Sequence, residues 1–424
     1  MSKYERYRDT GLTWINKVPE KWNLKKINAL FDERREKVSD TDYEALSVTK
    51  NGIFKQLDNV AKTNDGDNRK KVQRNDFVIN SRSDRKGSSG LSDFNGSVSL
   101  INIVLRIKKE YPRYMHYLLK SVPFQEEFYR NGKGIVADLW STNFQSMKSI
   151  ILPIPPIKEQ VQIANYLDWK INEIDRLIQI EKEKIKQLNQ TMQISINSRY
   201  KILNLEDETN KGVKIKYLAN QITQHKGEYR RYIALENIIS QKGMMKISFD
   251  NLEFNSDGIS VEKNMVIFGK LRPYLAKTIV VENKAVCSSE FLVLNPIKLM
   301  PLYLKYLMLS SKFIDLVDSS TYGTKMPRVN SDFILNLKIV VPDLSEQKKV
   351  VEKILESENR INKVIEVIIK KIESMENLKQ SLISEVVTGQ IDVRDIAIPE
   401  YEKVAITDGE IEETDEMEGK EYGS

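Results

Sequence analysis

The chain has 424 residues, 40% of them apolar and 30% charged, with a net charge of +6, a length that asks for two or three separate cores. One cysteine, Cys287, and two histidines far apart in sequence, His116 and His225, exclude a disulfide framework and cysteine-rich zinc sites and leave metal or Ser-His-Asp chemistry little to work with. No run approaches the ~18 apolar residues of a membrane span, and the polar start MSKYERYRDT does not read as a signal peptide, so a soluble, cytoplasmic protein is expected.

Residues 1–157 read as a β-rich domain with short helices. In VQRNDFVINSR at 72–82 a basic turn with an asparagine leads into an apolar strand that leaves in polar and basic residues. Cations gather beside it. NRKKVQR at 68–74 supplies Arg69, Lys70, Lys71 and Arg74, with Lys62 upstream, and SRSDRKGSSG at 81–90 sets Arg82, Arg85 and Lys86 among small residues that allow close backbone approach.

PPIKEQ at 155–160 opens a helix read over 158–202. Its apolar residues Ile163, Leu167, Ile171, Ile174, Ile178, Ile185, Leu188 and Met192 alternate steps of four and three, with only Glu181 interrupting, which is a heptad seam. NLEDETNKG then supplies linker chemistry. A second β-rich domain is read over 203–343, where HKGEYRRY at 225–232 (Lys226, Arg230, Arg231), GKLRPY at 269–274 (Lys270, Arg272, Tyr274) and TYGTKMPR at 321–328 (Lys325, Arg328) mix cations with Tyr, Gly and Pro. Such loops suit a DNA groove, since arginine reads guanine edges bidentately and lysine mainly neutralises phosphate.

PDLSEQ at 342–347 opens the second long helix, read over 344–388, with a seam of Ile354, Ile361, Ile365, Ile368, Ile372, Met375, Leu382 and Val386 broken by Glu358 and Lys379. Two helices of some 45 residues with matching stripes should pack together. Gly389 reads as the stop, and 389–424 as a disordered acidic tail. From Pro399 onward ten acids face two lysines, a net of −8, so the body carries +14 and suggests a polyanionic partner.

The chain repeats itself. PPIKEQ and PDLSEQ align at an offset of 187, pairing Pro155 with Pro342, Glu159 with Glu346 and Gln160 with Gln347; VQRNDFVINSR and VEKNMVIFGKLR at 261–272 align at 189, with Ser99 facing Ser288. The order is globular domain, long helix, globular domain, long helix, giving an α+β fold with few identities between copies.

Catalytic signatures are missing from the sequence. There is no phosphate loop, no glycine-rich cofactor turn after a strand and no Asn/Asp-Pro-Pro-aromatic motif. Asp343, Glu346 and Lys348 imitate the acids and lysine of a metal-dependent nuclease, but six residues at a helix start point to capping and solvation instead. No catalytic residue and no metal ligand is therefore assigned. The rivals that remain are a free-standing DNA endonuclease built on those three residues and a two-headed coiled-coil scaffold that binds protein.

The frame resembles the specificity subunit of Type I restriction-modification systems. YRDTGLTWINKVPEKWNLKKI at 7–27, LSVTKNG at 46–52, LPIPPIKEQ at 152–160, IALENI at 233–238, FGKLRPYLAKT at 268–278 and LISEVVTGQIDVR at 382–394 carry the likeness, which runs from about residue 4 to 394; VVPDLSEQ is a degenerate form of its junction. The resemblance implies two target recognition domains, each reading half of a split, asymmetric site in double-stranded DNA, and two long helices paired as an antiparallel coiled coil with an approximate internal two-fold axis. It also implies docking of two adenine-methyltransferase subunits and of motor-nuclease subunits. S-adenosylmethionine, ATP and Mg would belong to those partners and no cofactor to this chain, which would be non-catalytic.

Overall fold

The computed structural model describes residues 2–56, 66–133, 141–200, 212–225, 227, 230–323 and 325–404. The chain forms two compact units, Met1–Ile180 with Lys370–Ser424, and Glu181–Ile369. Each boundary falls inside a long helix, because each helix buries part of its stripe in each unit.

In the first unit a four-stranded antiparallel sheet runs in the order Ser89–Leu91, Asp76–Asn80, Asn102–Ile107 and Phe31–Glu33, and a three-stranded one in the order Gly96–Ser99, Arg69–Val72 and Lys37–Val38. Helices Pro112–Lys120 and Val122–Arg130 follow. The second unit repeats the plan. Strands Ala219–Ile222, Phe291–Pro296, Val266–Gly269 and Thr278–Val280 form one sheet; Phe254–Asn255, Arg230–Ile233, Ala285–Cys287 and Ile259–Val261 form another; helices Pro301–Leu309 and Ser311–Ser319 follow. Both copies enter their central strand through a left-handed asparagine, Asn75 and Asn264, each at φ 70°. Asparagine is among the few side chains that take this conformation readily. Each donates its backbone N–H over 2.8 Å across the turn, to Ser92 and Val281, partners that are also 189 apart.

The long helices are Ile157–Asn197 and Leu344–Val387. Within the first unit Ile163, Ala164, Tyr166 and Leu167 share a core with Leu382, Ile383, Val386 and Val387, and Lys379 donates to Asp175 at 2.6 Å, so the two segments run antiparallel. Within the second, Ile196 shares a core with Val351 and Ile354. The seam residues Leu167, Ile171, Ile174, Ile178, Ile185, Leu188, Ile361, Ile365, Ile368, Ile372 and Met375 are all buried or half-buried. Each polar interruption has a partner: Lys379 has Asp175, buried Glu181 has Lys184 at 2.9 Å, and Glu358 accepts from the Tyr306 hydroxyl at 2.5 Å. No helix among the described residues is long and apolar enough to cross a membrane.

The repeated glutamine has a structural reason. The buried Gln160 amide accepts the Tyr111 N–H at 2.8 Å and donates to the Pro155 carbonyl at 2.9 Å. Gln347 accepts the Met300 N–H at 2.8 Å and donates to the Pro342 carbonyl at 3.0 Å. Tyr111 and Met300 are the N-caps of Pro112–Lys120 and Pro301–Leu309 and have no side-chain cap of their own. One amide thus ties the start of the long helix to the start of a shorter one in each copy. The neighbouring glutamates differ: Glu159 accepts from Tyr4 at 2.6 Å and Trp22 at 2.9 Å, whereas Glu346 is exposed.

The residues after the second helix correct the disordered-tail expectation over 389–404. Ser2 and Asp392 bridge, Ile391 and Val393 are buried, and Ile396 and Ile398 pack against the same core. Further on, Asn172 donates to the Glu402 carbonyl at 2.9 Å and accepts from the Val404 N–H at 2.8 Å. The apolar alternation, hidden in an acid count, is what holds the strap down; residues 405–424 lie outside those described. Gly389 begins the strap at φ +75°, and a Cβ there would stand 2.4 Å from Pro19 Cδ. Gly389→Ala should therefore cost at least ~2 kcal/mol, from the left-handed penalty of ~1–2 kcal/mol plus the clash. Thermal melting should fall by several degrees, and an unchanged midpoint would show that the strap yields freely.

Candidate nucleic-acid interface

In the second unit the strand Val266–Gly269 runs out into GKLRPY, and the chain after Ser311–Ser319 forms TYGTKMPR. Some fifty residues apart in sequence, the two loops are stitched together. Leu271 bridges Arg328, and Tyr322 bridges Arg328 in turn, exchanging backbone hydrogen bonds at 3.0 and 3.1 Å. Arg272 donates its N–H to the Pro327 carbonyl at 2.7 Å, and Val329 donates to the Lys270 carbonyl at 3.1 Å. Around Pro273–Leu275 the backbone is left-handed at two non-glycine residues, Arg272 (φ 50°) and Ala276 (φ 46°), a conformation that costs ~1–2 kcal/mol per residue. The turn leaves Arg272 and Tyr274 exposed, beside exposed Lys325 and Met326.

Below these, the Arg328 guanidinium bonds the Glu290 carboxylate, and Lys270 lies half-buried near both. Burial lowers the Lys270 pKa and Arg328 lowers it further, while Glu290 opposes them. The group splits into an inner set that holds the loops, Arg328 with Glu290, and an outer set that faces solvent, Arg272 and Lys325. Of the cations in HKGEYRRY, Arg231 is engaged in the fold, stacked 4.3 Å over Phe254 and donating to the Leu252 carbonyl. Arg230 sits half-buried in its strand opposite Asn255, and Lys226 lies outside the described residues.

The first unit repeats the stitching with other side chains. Arg82 bridges Ser141, Ser141 bridges Lys133, and Thr142 donates to the Ser81 carbonyl at 2.9 Å. Arg82 faces solvent paired bidentately with Asp84 at 2.9 and 2.6 Å, Lys86 pairs with Glu126, and Arg85 is half-buried. Beneath the loop Lys120 donates to the carbonyls of Lys50 at 2.6 Å, Gly87 at 3.0 Å and Ser89 at 3.3 Å. Burial pushes its pKa down to about 8, with Lys379 adding to the effect.

Arg69, Lys70 and Lys71, read from sequence as groove-facing, occupy the strand Arg69–Val72 between two neighbours. Arg69 is buried and donates to the Ser97 hydroxyl at 2.9 Å and the Ser97 carbonyl at 3.1 Å; Lys70 donates to the Asn102 carbonyl at 2.7 Å; Lys71 pairs with Glu36 at 2.8 Å over the Tyr43 ring. RKKV lacks the alternation of apolar and polar residues that marks a strand, so charge hid its structure. No local signal in the sequence marks Lys133 and Ser141, which complete the first loop pair; Tyr322 and Met326, which complete the second, lie inside TYGTKMPR beside the cations singled out there.

His116 accepts the Leu91 N–H at Nδ1 over 3.2 Å, and burial lowers its pKa well below the usual value, which makes it a neutral packing residue. Asp343 caps the second long helix by accepting the Glu346 N–H at 2.9 Å, a bond that lowers its pKa, while Lys348 reaches toward Glu352 at 3.9 Å, so the three nuclease-like residues do not converge. No group of three or more potential metal ligands exists among the described residues.

The family model of the Type I restriction modification DNA specificity domain matches twice, over residues 19–190 and 194–374, one match per repeat. The Type I restriction enzyme MjaVIII specificity subunit of Methanocaldococcus jannaschii is 24% identical over 315 residues, which span 66% of this chain and 71% of that relative. The Type I restriction enzyme EcoDI specificity subunit of Escherichia coli is 23% identical over 140 residues, 32% of this chain and 31% of that one. A chain solved in work on complex assembly and conformational transition of the type I R-M system has the same fold, with a TM-score of 0.61 at 12% identity over 88% of this chain and 99% of that one. The doubled match follows the doubled loop pairs and helix junctions, and the chain belongs to the Type I restriction modification DNA specificity family.

Proposed function

We propose that the chain is the address-reading subunit of a Type I complex, each unit reading one half of a bipartite, asymmetric site in double-stranded DNA. The observation that supports this most is the stitched loop pair, present at the same place in both copies but carrying unlike side chains. A symmetric homodimer reads a palindrome, whereas two diverged copies on one chain can read two different half-sites. The long helices space the heads and dock two adenine-methyltransferase subunits, with motor-nuclease subunits joining for cleavage. S-adenosylmethionine, ATP and Mg are held by those partners.

Arg272 serves as a base reader and Lys325 as a phosphate contact. Binding should be measured on the complex assembled with its methyltransferase subunits, across a salt series. Arg272→Ala is expected to cost ~1–3 kcal/mol on the cognate site alone. Lys325→Ala should weaken all sequences alike and lower the slope of log K against log salt by about 0.9. Equal losses on cognate and random DNA for Arg272→Ala would sink its assignment.

A further inference from the structure

The stitched loops of the second unit end in an apolar tip that charge reading does not explain. Met326 is 63% exposed, Tyr322 61% and Tyr274 43%, and all three belong to the two loops joined by the Arg272–Pro327 and Tyr322–Arg328 hydrogen bonds. Large apolar side chains gathered at one exposed place mark a contact surface. Here the rim is cationic, Arg272 and Lys325 being exposed within the same loops, which matches a polyanion. The turn beside the tip is closed by its own hydrogen bonds. Its left-handed residues Arg272 and Ala276 bracket a turn closed by Leu275 N–H to the Arg272 carbonyl at 2.9 Å and Ala276 N–H to the Pro273 carbonyl at 2.8 Å. Gln241 fastens that turn from outside, donating to the Leu275 carbonyl at 2.9 Å. The segment that carries Tyr322 and Met326 is tied to that turn through the Arg272 N–H to the Pro327 carbonyl and the Tyr322–Arg328 exchange, and methionine is among the apolar side chains that proteins insert between base steps.

Resting on the reading of this loop pair as a DNA contact, we propose that Met326 and Tyr322 form an apolar wedge that enters the base stack beside the bases read by Arg272 and unstacks one step. Part of this half-site's specificity is then indirect. The wedge favours a pyrimidine–purine step, the kind that unstacks and kinks most easily, at a position where no hydrogen bond is made to a base.

The test uses the chain assembled with its methyltransferase subunits and duplexes carrying 2-aminopurine at successive positions of the motif found by methylation mapping. On binding, fluorescence should rise several-fold at one step within the second unit's half-site. M326A with Y322A should abolish that rise and lose about tenfold in affinity, the scale of one lost stacking contact, with the salt slope unchanged. A one-base mismatch at that step should restore the double variant's affinity, since the duplex is already unstacked there. Both residues are exposed, so the melting temperature should stay put. No rise at any step, while Arg272→Ala still relaxes the motif, would overturn the wedge and leave the DNA reading standing. Loss of methyltransferase assembly with DNA deformation intact would overturn it too, making the tip a protein contact. If Arg272→Ala also left the motif unchanged, the underlying reading of the loops would fail.

Discussion

Gln160→Leu should destabilise the first unit by ~2–5 kcal/mol, and Gln347→Leu should do the same to the second. Leucine keeps the volume but removes both hydrogen bonds, leaving the Tyr111 N–H and the Pro155 carbonyl, or the Met300 N–H and the Pro342 carbonyl, without their partner. Each buried group so orphaned costs ~1–3 kcal/mol. A third bond goes with each change: Gln160 also donates to Glu110 at 2.6 Å, which pairs with Lys25, and Gln347 also donates to the Lys298 carbonyl at 3.3 Å. A chain of two units need not unfold in one step, so the readout should be local. Hydrogen exchange should accelerate across 112–120 in one variant and 301–309 in the other, with the opposite copy unmoved. Glu346→Ala is the internal control: the residue just before Gln347 but exposed, it should change little. If it cost as much as Gln347→Leu, the repeated motif would be working through charge at the helix start, not through the buried amide.

Arg328→Ala should be the most damaging single change to the second unit's loop pair, although Arg328 itself is only half exposed. Glu290 would keep a carboxylate with one buried oxygen, Oε2, that lacks a partner even in the intact protein, and its remaining cationic neighbour would be Lys270, whose charge burial already disfavours. Breaking a fully buried ion pair costs ~3–5 kcal/mol; with Arg328 40% exposed, ~1–3 kcal/mol is expected after solvent screening. The functional signature is distinctive. Arg272→Ala is expected to relax one base position, whereas Arg328→Ala is expected to loosen the frame and weaken recognition across the whole half-site. Arg328→Lys keeps the charge but not the fork, and should recover only part of the loss. Relaxation at a single base would instead make Arg328 a reader.

The long helices were legible from sequence because a stripe recurring every three and four residues admits few other structures, and the eleven seam positions are buried or half-buried. The repeated glutamine was visible as a pattern but not as a mechanism, since its partners Tyr111 and Met300 lie some fifty residues upstream. The loops around Arg82 and Arg272 were legible as basic and glycine-rich. That each is closed by a second segment, 133 and 141 in one copy and 322–328 in the other, is a non-local pairing no window of sequence displays. The strand of Arg69 through Lys71 was hidden for a related reason: a run of charges does not display the pairing with Gly96–Ser99 that buries Arg69. Likewise Ile391 and Val393 looked like the start of an acidic tail until the bridge from Asp392 to Ser2 placed them in a core.

Each unit is proposed to read its own half-site through its own loop pair. Methylome sequencing of cells carrying this chain with its methyltransferase partner tests it most directly, comparing the unaltered protein with Arg272→Ala and Arg82→Ala separately. The methylated motif should have two specified halves around an unspecified gap, with Arg272→Ala relaxing a position in one half only and Arg82→Ala a position in the other. A motif whose two halves changed together under either substitution, or a single uninterrupted motif, would contradict it.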